Sequence, residues 1–145
     1  MNSHAAGIRA TDGDPDGLLT DFSGQLSRTV ELLRTTALAR LSLADDEGLT
    51  PTSRAHALSQ YLVDLAWGLS PDSFPANGAG GSLAEPPPAP EVRSHGAGAQ
   101  LAVVGRELLL AAKAQLITAD GDRQERIQAA LTDASQACIA LRRAL

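Results

Sequence analysis

The sequence predicts an all-α fold, a four-helix bundle, from its composition, its apolar periodicity and the placement of its prolines. Of 145 residues, 26 are Ala and 22 are Leu, whereas Val and Ile together number nine and aromatic residues four. Ala and Leu are ordered in a helix at little entropic cost, whereas strands favour β-branched and aromatic side chains. Proline is absent between Pro15 and Pro51, between Pro51 and Pro71, and after Pro90, so three intervals can hold uninterrupted helices.

We expect a single helical domain, residues 14–145, behind a disordered polar tail, residues 1–13. Within the domain, two helical hairpins, residues 14–69 and 99–145, are predicted to dock as a bundle. Residues 70–98 join the hairpins and contain six prolines and five glycines. That composition predicts a partly extended crossover rather than a helix.

The first helix is predicted to begin at Pro15, with Asp14 as its cap, and to end near Ala44. The acidic residues 45–47 would oppose the negative C-terminal end of a helix, and Gly48 favours a turn. The apolar positions recur at helical spacings of three and four: Leu19, Phe22, Leu26, Val30, Leu33, Ala37 and Leu41.

The second helix is predicted to begin with Thr50 as cap and Pro51 as first residue, and to bury Ala55, Leu58, Leu62, Leu65 and Leu69. Its opposite face carries a second row at helical spacing: His56, Gln60, Val63 and Trp67. Either the crossover folds back over Trp67, or Trp67 anchors a partner. This row is therefore a candidate surface for a partner or ligand.

The third helix, predicted from about residue 99 to residue 117, is apolar on two faces. One face carries Leu101, Val104, Leu108 and Ala112, and the other carries Val103, Leu110 and Ile117 at a spacing of seven. A helix that is apolar on two faces is central in its domain or buried against another chain. Val103, Leu110 and Ile117 are therefore a candidate oligomer stripe, although burial under the crossover is an equal alternative.

The fourth helix is predicted to begin with a capping box of Asp122 and Glu125. Its apolar seam comprises Ile127, Leu131, Ala134, Cys138, Leu141 and Leu145. In that setting Cys138 is expected to be a small buried apolar residue rather than a reactive thiol. Gly24 and Gly105 interrupt helices and are predicted to mark close helix crossings.

Charge and composition argue against several partners. The net charge is −5 and the adjacent cations are Arg142 and Arg143, so a nucleic-acid surface is not expected. The single cysteine excludes an internal disulfide and fits a reducing cytoplasm, and no apolar run is long enough for a signal peptide or a membrane span. Eleven Arg against one Lys, in an Ala-rich chain, hints at a bacterial genome rich in GC.

No catalytic, cofactor or metal motif is found in the sequence. There is no Glu-x-x-His, phosphate loop, nucleophile elbow or dinucleotide fingerprint, and the histidines are far apart. Glu31 and Glu107 could form a carboxylate pair, but such residues are more often solvated or paired with arginine. We therefore expect no enzyme activity, no cofactor and no metal.

His95 is similar to the active residue of a histidine phosphotransfer domain, another four-helix bundle. In that family Lys follows the histidine by three residues, and Gly follows by four and by ten. Gly105 matches the last position, whereas Gly98 and Ala99 stand at the other two. The missing lysine removes a cation that would stabilise the phosphoryl group.

Residues 14–72, about two-fifths of the chain, resemble the gas vesicle protein K family. The likeness rests on Asp14-Pro15-Asp16, on Thr29-Val30-Glu31-Leu32-Leu33-Arg34, on Gly48-Leu49-Thr50 and on Trp67-Gly68-Leu69-Ser70-Pro71-Asp72. The chain departs from the family in a shorter second helix, in residues 74–90 and in residues 91–145. The resemblance implies an accessory role, through protein contacts, in assembling a protein-shelled gas compartment.

Three hypotheses follow from the sequence. The first is a non-enzymatic cytoplasmic protein that acts through protein contacts, with a possible homodimer formed through the candidate oligomer stripe. The second is a small-ligand-binding bundle with Trp67, Tyr61 and His56 near its pocket. The third is phosphotransfer through His95.

Overall fold

A computed structural model describes residues 15–69 and 86–145, in which every regular element is helical. The helices are α1 (Pro15–Thr35), α2 (Leu38–Leu41), α3 (Pro51–Leu69), α4 (Ala97–Thr118) and α5 (Gly121–Ala144), and a short 3-10 turn, Ser94–Gly96, precedes α4. The four long helices pack around one apolar core, which confirms the all-α bundle. The predicted tail, residues 1–13, and residues 70–85 of the predicted crossover lie outside the described residues. In the described ranges, no helix is long and apolar enough to cross a membrane.

The helices do not pair as two hairpins. α1 packs on α4 and α5, and α3 packs chiefly on α4 and less extensively on α5. Long helices that follow each other in the chain, α1 and α3 or α4 and α5, are therefore not each other's main packing partners. The hairpin prediction is wrong because apolar spacing shows which face of a helix is buried but not which helix covers it.

Contacts along the helices give their directions. Leu26 lies against Gly105, and Val30 and Leu33 lie against Gly98, so α1 and α4 are antiparallel. The Thr52 hydroxyl in the first turn of α3 donates to Ser94 Oγ (2.8 Å) just before α4, so these two helices begin at the same end of the bundle. Neighbours that run in the same direction require a long connection, which the proline-rich segment supplies.

The first helix ends at Thr35, earlier than the predicted Ala44. The Thr35 hydroxyl donates to the Glu31 carbonyl (2.9 Å) and the Thr36 hydroxyl donates to the Leu32 carbonyl (2.6 Å). Such bonds compete with the helical backbone, and two β-branched residues in succession weaken it further. The chain is extended at Ala37 and re-enters a helical turn in α2, which buries Leu41 and leaves Ala37 exposed.

The helix caps confirm one prediction and correct another. At the start of α3, Thr50 Oγ1 accepts a hydrogen bond from the Ser53 amide (3.0 Å), as the predicted cap requires. At the start of α5, the cap is Asp120, which accepts from the Arg123 amide (2.9 Å), so the predicted box of Asp122 and Glu125 is wrong. The sequence has an aspartate at both 120 and 122, and the extended backbone of Asp120 identifies it as the cap.

The predicted apolar seams form the core. Buried seam residues include Phe22, Leu26, Val30, Leu33, Ala55, Leu58, Leu62, Leu101, Leu108, Ala112, Ile127, Leu131, Ala134 and Leu141. Cys138 is fully buried among them, and its burial raises the pKa of the thiol to about 11. The thiol is therefore protonated at neutral pH, as expected of a small core residue.

A polar connection joins α1 to α5 beside this core. Arg142 Nη1 donates to Thr29 Oγ1 (3.0 Å) and to the Gln25 carbonyl (3.1 Å), and Arg142 Nη2 donates to Gln25 Oε1 (2.6 Å). Thr29 is itself fully buried and donates to the same Gln25 carbonyl (2.8 Å). These bonds satisfy a buried hydroxyl and set the position of α5 along α1.

The two predicted crossing glycines have different surroundings. A Cβ atom at Gly105 would lie 2.6 Å from Leu26 Cδ1, closer than packed atoms allow, whereas a Cβ atom at Gly24 would meet nothing within 4 Å. Gly105 therefore marks a close crossing of α1 and α4, as predicted. Gly24 does not.

We expect Gly105→Ala to destabilise the protein by about 1–3 kcal/mol, because overpacking outweighs the better helix propensity of Ala. Gly24→Ala is the matched control and should stabilise the protein by up to about 1 kcal/mol, since its added methyl group has open space. Urea unfolding followed by circular dichroism measures both changes. Equal stabilisation by the two substitutions would contradict the close crossing.

Candidate interaction surfaces

The outward face of α4 carries three exposed branched side chains in a line. Val103, Leu110 and Ile117 are 61%, 51% and 83% exposed, respectively, and together they form the α4 stripe. On the opposite side of the same helix, Leu101 and Leu108 are fully buried. The α4 stripe is therefore exposed, whereas most of the crossover, the alternative cover, lies outside the described residues.

Two cations flank the α4 stripe on its α1 side. Arg106 lines two neighbouring surface grooves between α1 and α4, of about 560 and 740 Å³, and Lys113 lines the second. Glu31 lies in the first groove with Arg34 and Arg106, whereas Glu107 does not line either groove. Glu31 therefore shares the first groove with arginines, and Asp16 lines the second groove with Arg106 and Lys113, so the border of the stripe on this side carries both signs of charge.

A second apolar surface lies between α3 and α5, which pack on each other less extensively than either packs on its main partner. This α3/α5 groove has a volume of about 370 Å³ and is lined by Leu49, Ser53, Arg54, Ala57, Leu58, Tyr61, Ala137, Ala140, Leu141 and Ala144. Alanines form much of its lining, and the partly exposed Leu49 and Tyr61 also line it. The sequence interpretation missed this groove. Its available signal was the row Ala137, Ala140 and Ala144, which has helical spacing beside the buried seam of α5.

An ion-paired loop closes one end of the α3/α5 groove. Arg54 Nη2 lies 2.5 Å from Asp45 Oδ2 and 2.8 Å from Glu47 Oε1. Asp45 Oδ1 also accepts hydrogen bonds from the amides of Glu47 (2.8 Å) and Leu49 (3.0 Å), in a turn where Gly48 has a φ of +80°. The acidic run after the first helix therefore orders the loop that enters α3.

The pKa of Asp45 lies below its ordinary value of 3.8, chiefly because of the Arg54 hydrogen bond and then the Leu49 amide. The pairing therefore stabilises the fold above pH 3.8, and its contribution is lost as pH falls through the lower folded-state pKa. We expect Arg54→Gln to raise the pKa of Asp45, as measured by NMR titration of its carboxyl carbon. The stability difference between Arg54→Gln and the parent should shrink as pH falls below 3.8.

Arg28→Gln, at an exposed position of α1, is the control and should leave the Asp45 titration unchanged. An Asp45 pKa that does not move in Arg54→Gln would contradict the assigned cause.

The candidate partner surface on α3 is half-buried at each of its residues: His56, Gln60, Val63 and Trp67. The end of the crossover binds the centre of this surface. Gln60 Nε2 donates to the Pro87 carbonyl (3.0 Å), and the Ala89 amide donates to Gln60 Oε1 (2.5 Å). The described end of the crossover therefore lies on this face of α3. Among the residues that the structure describes, two buried ring nitrogens on this face, His56 Nδ1 and Trp67 Nε1, have no hydrogen-bond partner.

The three residues of the predicted ligand pocket do not share the α3/α5 groove. Tyr61 lines the α3/α5 groove, whereas His56 and Trp67 do not. Helical spacing places His56 and Trp67 on the same side of α3 and Tyr61 on another.

We expect Gln60→Ala to release the end of the crossover, because the Ala89 amide would lose its acceptor. The loss should cost about 1–2 kcal/mol of stability and should accelerate hydrogen exchange at the Ala89 amide. NMR hydrogen exchange checks this, with Gln136→Ala at an exposed position of α5 as control. Unchanged exchange at Ala89 would show that Gln60 does not hold the segment.

His95 lies exposed in the 3-10 turn before α4 rather than within a helix. The glycine ten residues later, Gly105, and Gly98 both lie close against α1, so packing accounts for these two glycines. In residues 15–69 and 86–145, no three His, Cys, Asp or Glu side chains are grouped to hold a metal ion.

Comparisons with protein-family models, with curated proteins and with solved structures found no match for this chain. The resemblance of residues 14–72 to the gas vesicle protein K family stays a prediction from the sequence.

Proposed function

We propose that this protein is a cytoplasmic, non-enzymatic helical bundle that acts through protein–protein contacts, as an adaptor, assembly or accessory factor. The observation that carries the proposal is the exposure of the α4 stripe. Single exposed apolar residues are common on protein surfaces, whereas three in one line indicate a contact surface. Because seven residues make almost two helical turns, the three side chains lie on one side of α4.

Helix stability alone does not favour these side chains on the surface. Val103 and Ile117 are β-branched, and such residues have lower helix propensity than Ala, Lys or Glu. Both are exposed and contribute little to the core of the bundle. Burial against a partner would stabilise the complex by about 1.5–3 kcal/mol for each fully covered side chain.

The first partner that we propose is a second copy of the chain, in a homodimer or a larger homo-oligomer. An accessory role in gas vesicle assembly, which the resemblance implies, would also act through protein contacts. In both cases the α4 stripe is the surface that binds.

We expect Leu110→Asp to abolish self-association, because it places a charge in the middle of the apolar contact. Size-exclusion chromatography with light scattering should show an oligomer for the parent protein and a monomer for the variant, with at least tenfold weaker association. The helical circular dichroism should be unchanged, since Leu110 is exposed. Thr132→Asp, at an exposed position of α5, is the control and should associate like the parent.

If the parent is monomeric at every concentration and Leu110→Asp changes nothing, the proposed self-association is refuted.

A further inference from the structure

We propose that the surface around Gln60 on α3 and Gln100 on α4 binds extended, proline-rich peptides, and that a proline-rich segment of a partner protein displaces the chain's own segment there. The chain's own occupant is the strap, residues 86–92, which is the described end of the crossover. The inference goes beyond the proposed function, because this site and the α4 stripe share no residue.

The strap lies against the bundle with the three-residue period of a polyproline-II helix. Ala89 is only 7% exposed, and Pro86 and Val92, three residues to either side, are half-buried. Pro88 and Pro90, the neighbours of Ala89, are exposed. A polyproline-II helix has three residues per turn, so every third side chain faces the same way. The strap therefore presents one row of side chains to the bundle.

Two glutamines on different helices bind the backbone of the strap. On α3, the Gln60 carboxamide donates to the Pro87 carbonyl (3.0 Å) and accepts from the Ala89 amide (2.5 Å). On α4, Gln100 Nε2 donates to the Pro90 carbonyl, three residues after the first bound carbonyl. The hydrogen bonds therefore follow the same three-residue period as the buried side chains, as expected of a site for a polyproline-II segment.

Asp64 orients the Gln60 carboxamide for this contact. Its Oδ1 accepts a hydrogen bond from Gln60 Nε2 (2.9 Å), and an ionised carboxylate has no donor to offer, so Gln60 Oε1 is left for the Ala89 amide. Proline has no N–H, so the Ala89 amide is the only backbone donor within residues 86–90. The site accepts that one donor. Its geometry thus suits a segment in which prolines surround a single small residue.

The strap leaves part of the hydrogen-bonding capacity of the site unused. Among the described residues, Gln100 Oε1 is buried without a hydrogen-bond partner, and so is Trp67 Nε1, about two helical turns beyond Gln60 on α3. Buried polar atoms without a partner are costly. A partner peptide that binds these atoms as well makes contacts that the strap does not make, and aromatic side chains commonly line sites for proline-rich peptides.

The strap competes with any partner peptide because it is tethered beside the site. Its contact is small, comprising the hydrogen bonds to Gln60 and Gln100 and the buried Ala89 methyl group. Tethering compensates for this small contact, since it gives the strap a high effective concentration. Displacing the strap should therefore raise the affinity of the site for a free peptide.

The test opens the site by one substitution in the full chain. Ala89→Arg puts a long charged side chain at a buried position, so the strap should leave the site. Pro88→Arg, at the exposed neighbouring position, is the matched control and should leave the strap bound. The probe is a fluorescein-labelled synthetic peptide with the sequence of residues 86–93. By fluorescence anisotropy, we expect Ala89→Arg to bind the peptide at least about tenfold more tightly than the parent or Pro88→Arg.

Three further measurements assign the binding to this site. Gln60→Ala, added to Ala89→Arg, should weaken peptide binding by about tenfold, because the peptide loses a donor and an acceptor. A peptide with arginine in place of its alanine should not bind. Leu110→Asp, which disables the α4 stripe, should bind the peptide like the parent, so failure of this site and failure of the proposed function are distinguishable.

Circular dichroism and thermal melting confirm that each variant is folded. If Ala89→Arg does not fold, the double substitution Pro87→Gly with Pro90→Gly releases the strap by removing its polyproline-II preference, and the same titration applies.

Peptide that does not bind to Ala89→Arg, or that binds equally with and without Gln60, would overturn the proposed site. A second copy of the chain is the other possible occupant. In the Leu110→Asp background, a complex between the Ala89→Arg variant and a copy with an intact strap, detected by light scattering, would overturn the separate partner protein and assign the site to exchange of straps between copies.

Discussion

The close approach of α1 to α4 at Gly105 is the constraint on which the other features depend. Because Gly105 and Gly98 carry no Cβ, Leu26 and the Val30 backbone lie directly against α4. These two glycines, seven residues apart, set the rotation of α4 about its own axis. The stripe recurs with the same seven-residue period on the opposite side of the helix, so the contact that draws one face inward also turns the stripe outward.

Two kinds of contact hold the helices together: apolar packing in the core and polar contacts at the periphery. The core is apolar and close-packed, and beside it Arg142 connects α5 to α1 through Thr29 and Gln25. At the periphery, Gln60 binds the end of the crossover and Arg54 binds the loop that enters α3. The peripheral contacts cover one face of α3 with the end of the crossover, whereas no other described segment covers the outer face of α4 or the α3/α5 groove.

The sequence predicts which residues are buried far better than it predicts how helices are arranged. Apolar spacing identified the seam of each helix and the exposed second face of α4, because both follow from the helical period. It missed the break at Thr35, where side-chain hydroxyls compete with the backbone, and the Asp120 cap, which depends on local backbone conformation. The α3/α5 groove could not be predicted, because a row of alanines becomes a groove only when a neighbouring helix stands at the right distance.

Each long helix in the N-terminal half packs mainly on a helix in the C-terminal half, and this arrangement affects how the chain folds. Since α1 packs on α4 and α5, residues 15–69 contain no pair of helices that covers its own apolar faces. During synthesis the apolar faces of α1 and α3 stay exposed until α4 has been made, because the helices that cover them are distant in sequence. Folding of this bundle is therefore a late event that requires the C-terminal half, and truncation before α4 would leave an aggregation-prone helical fragment.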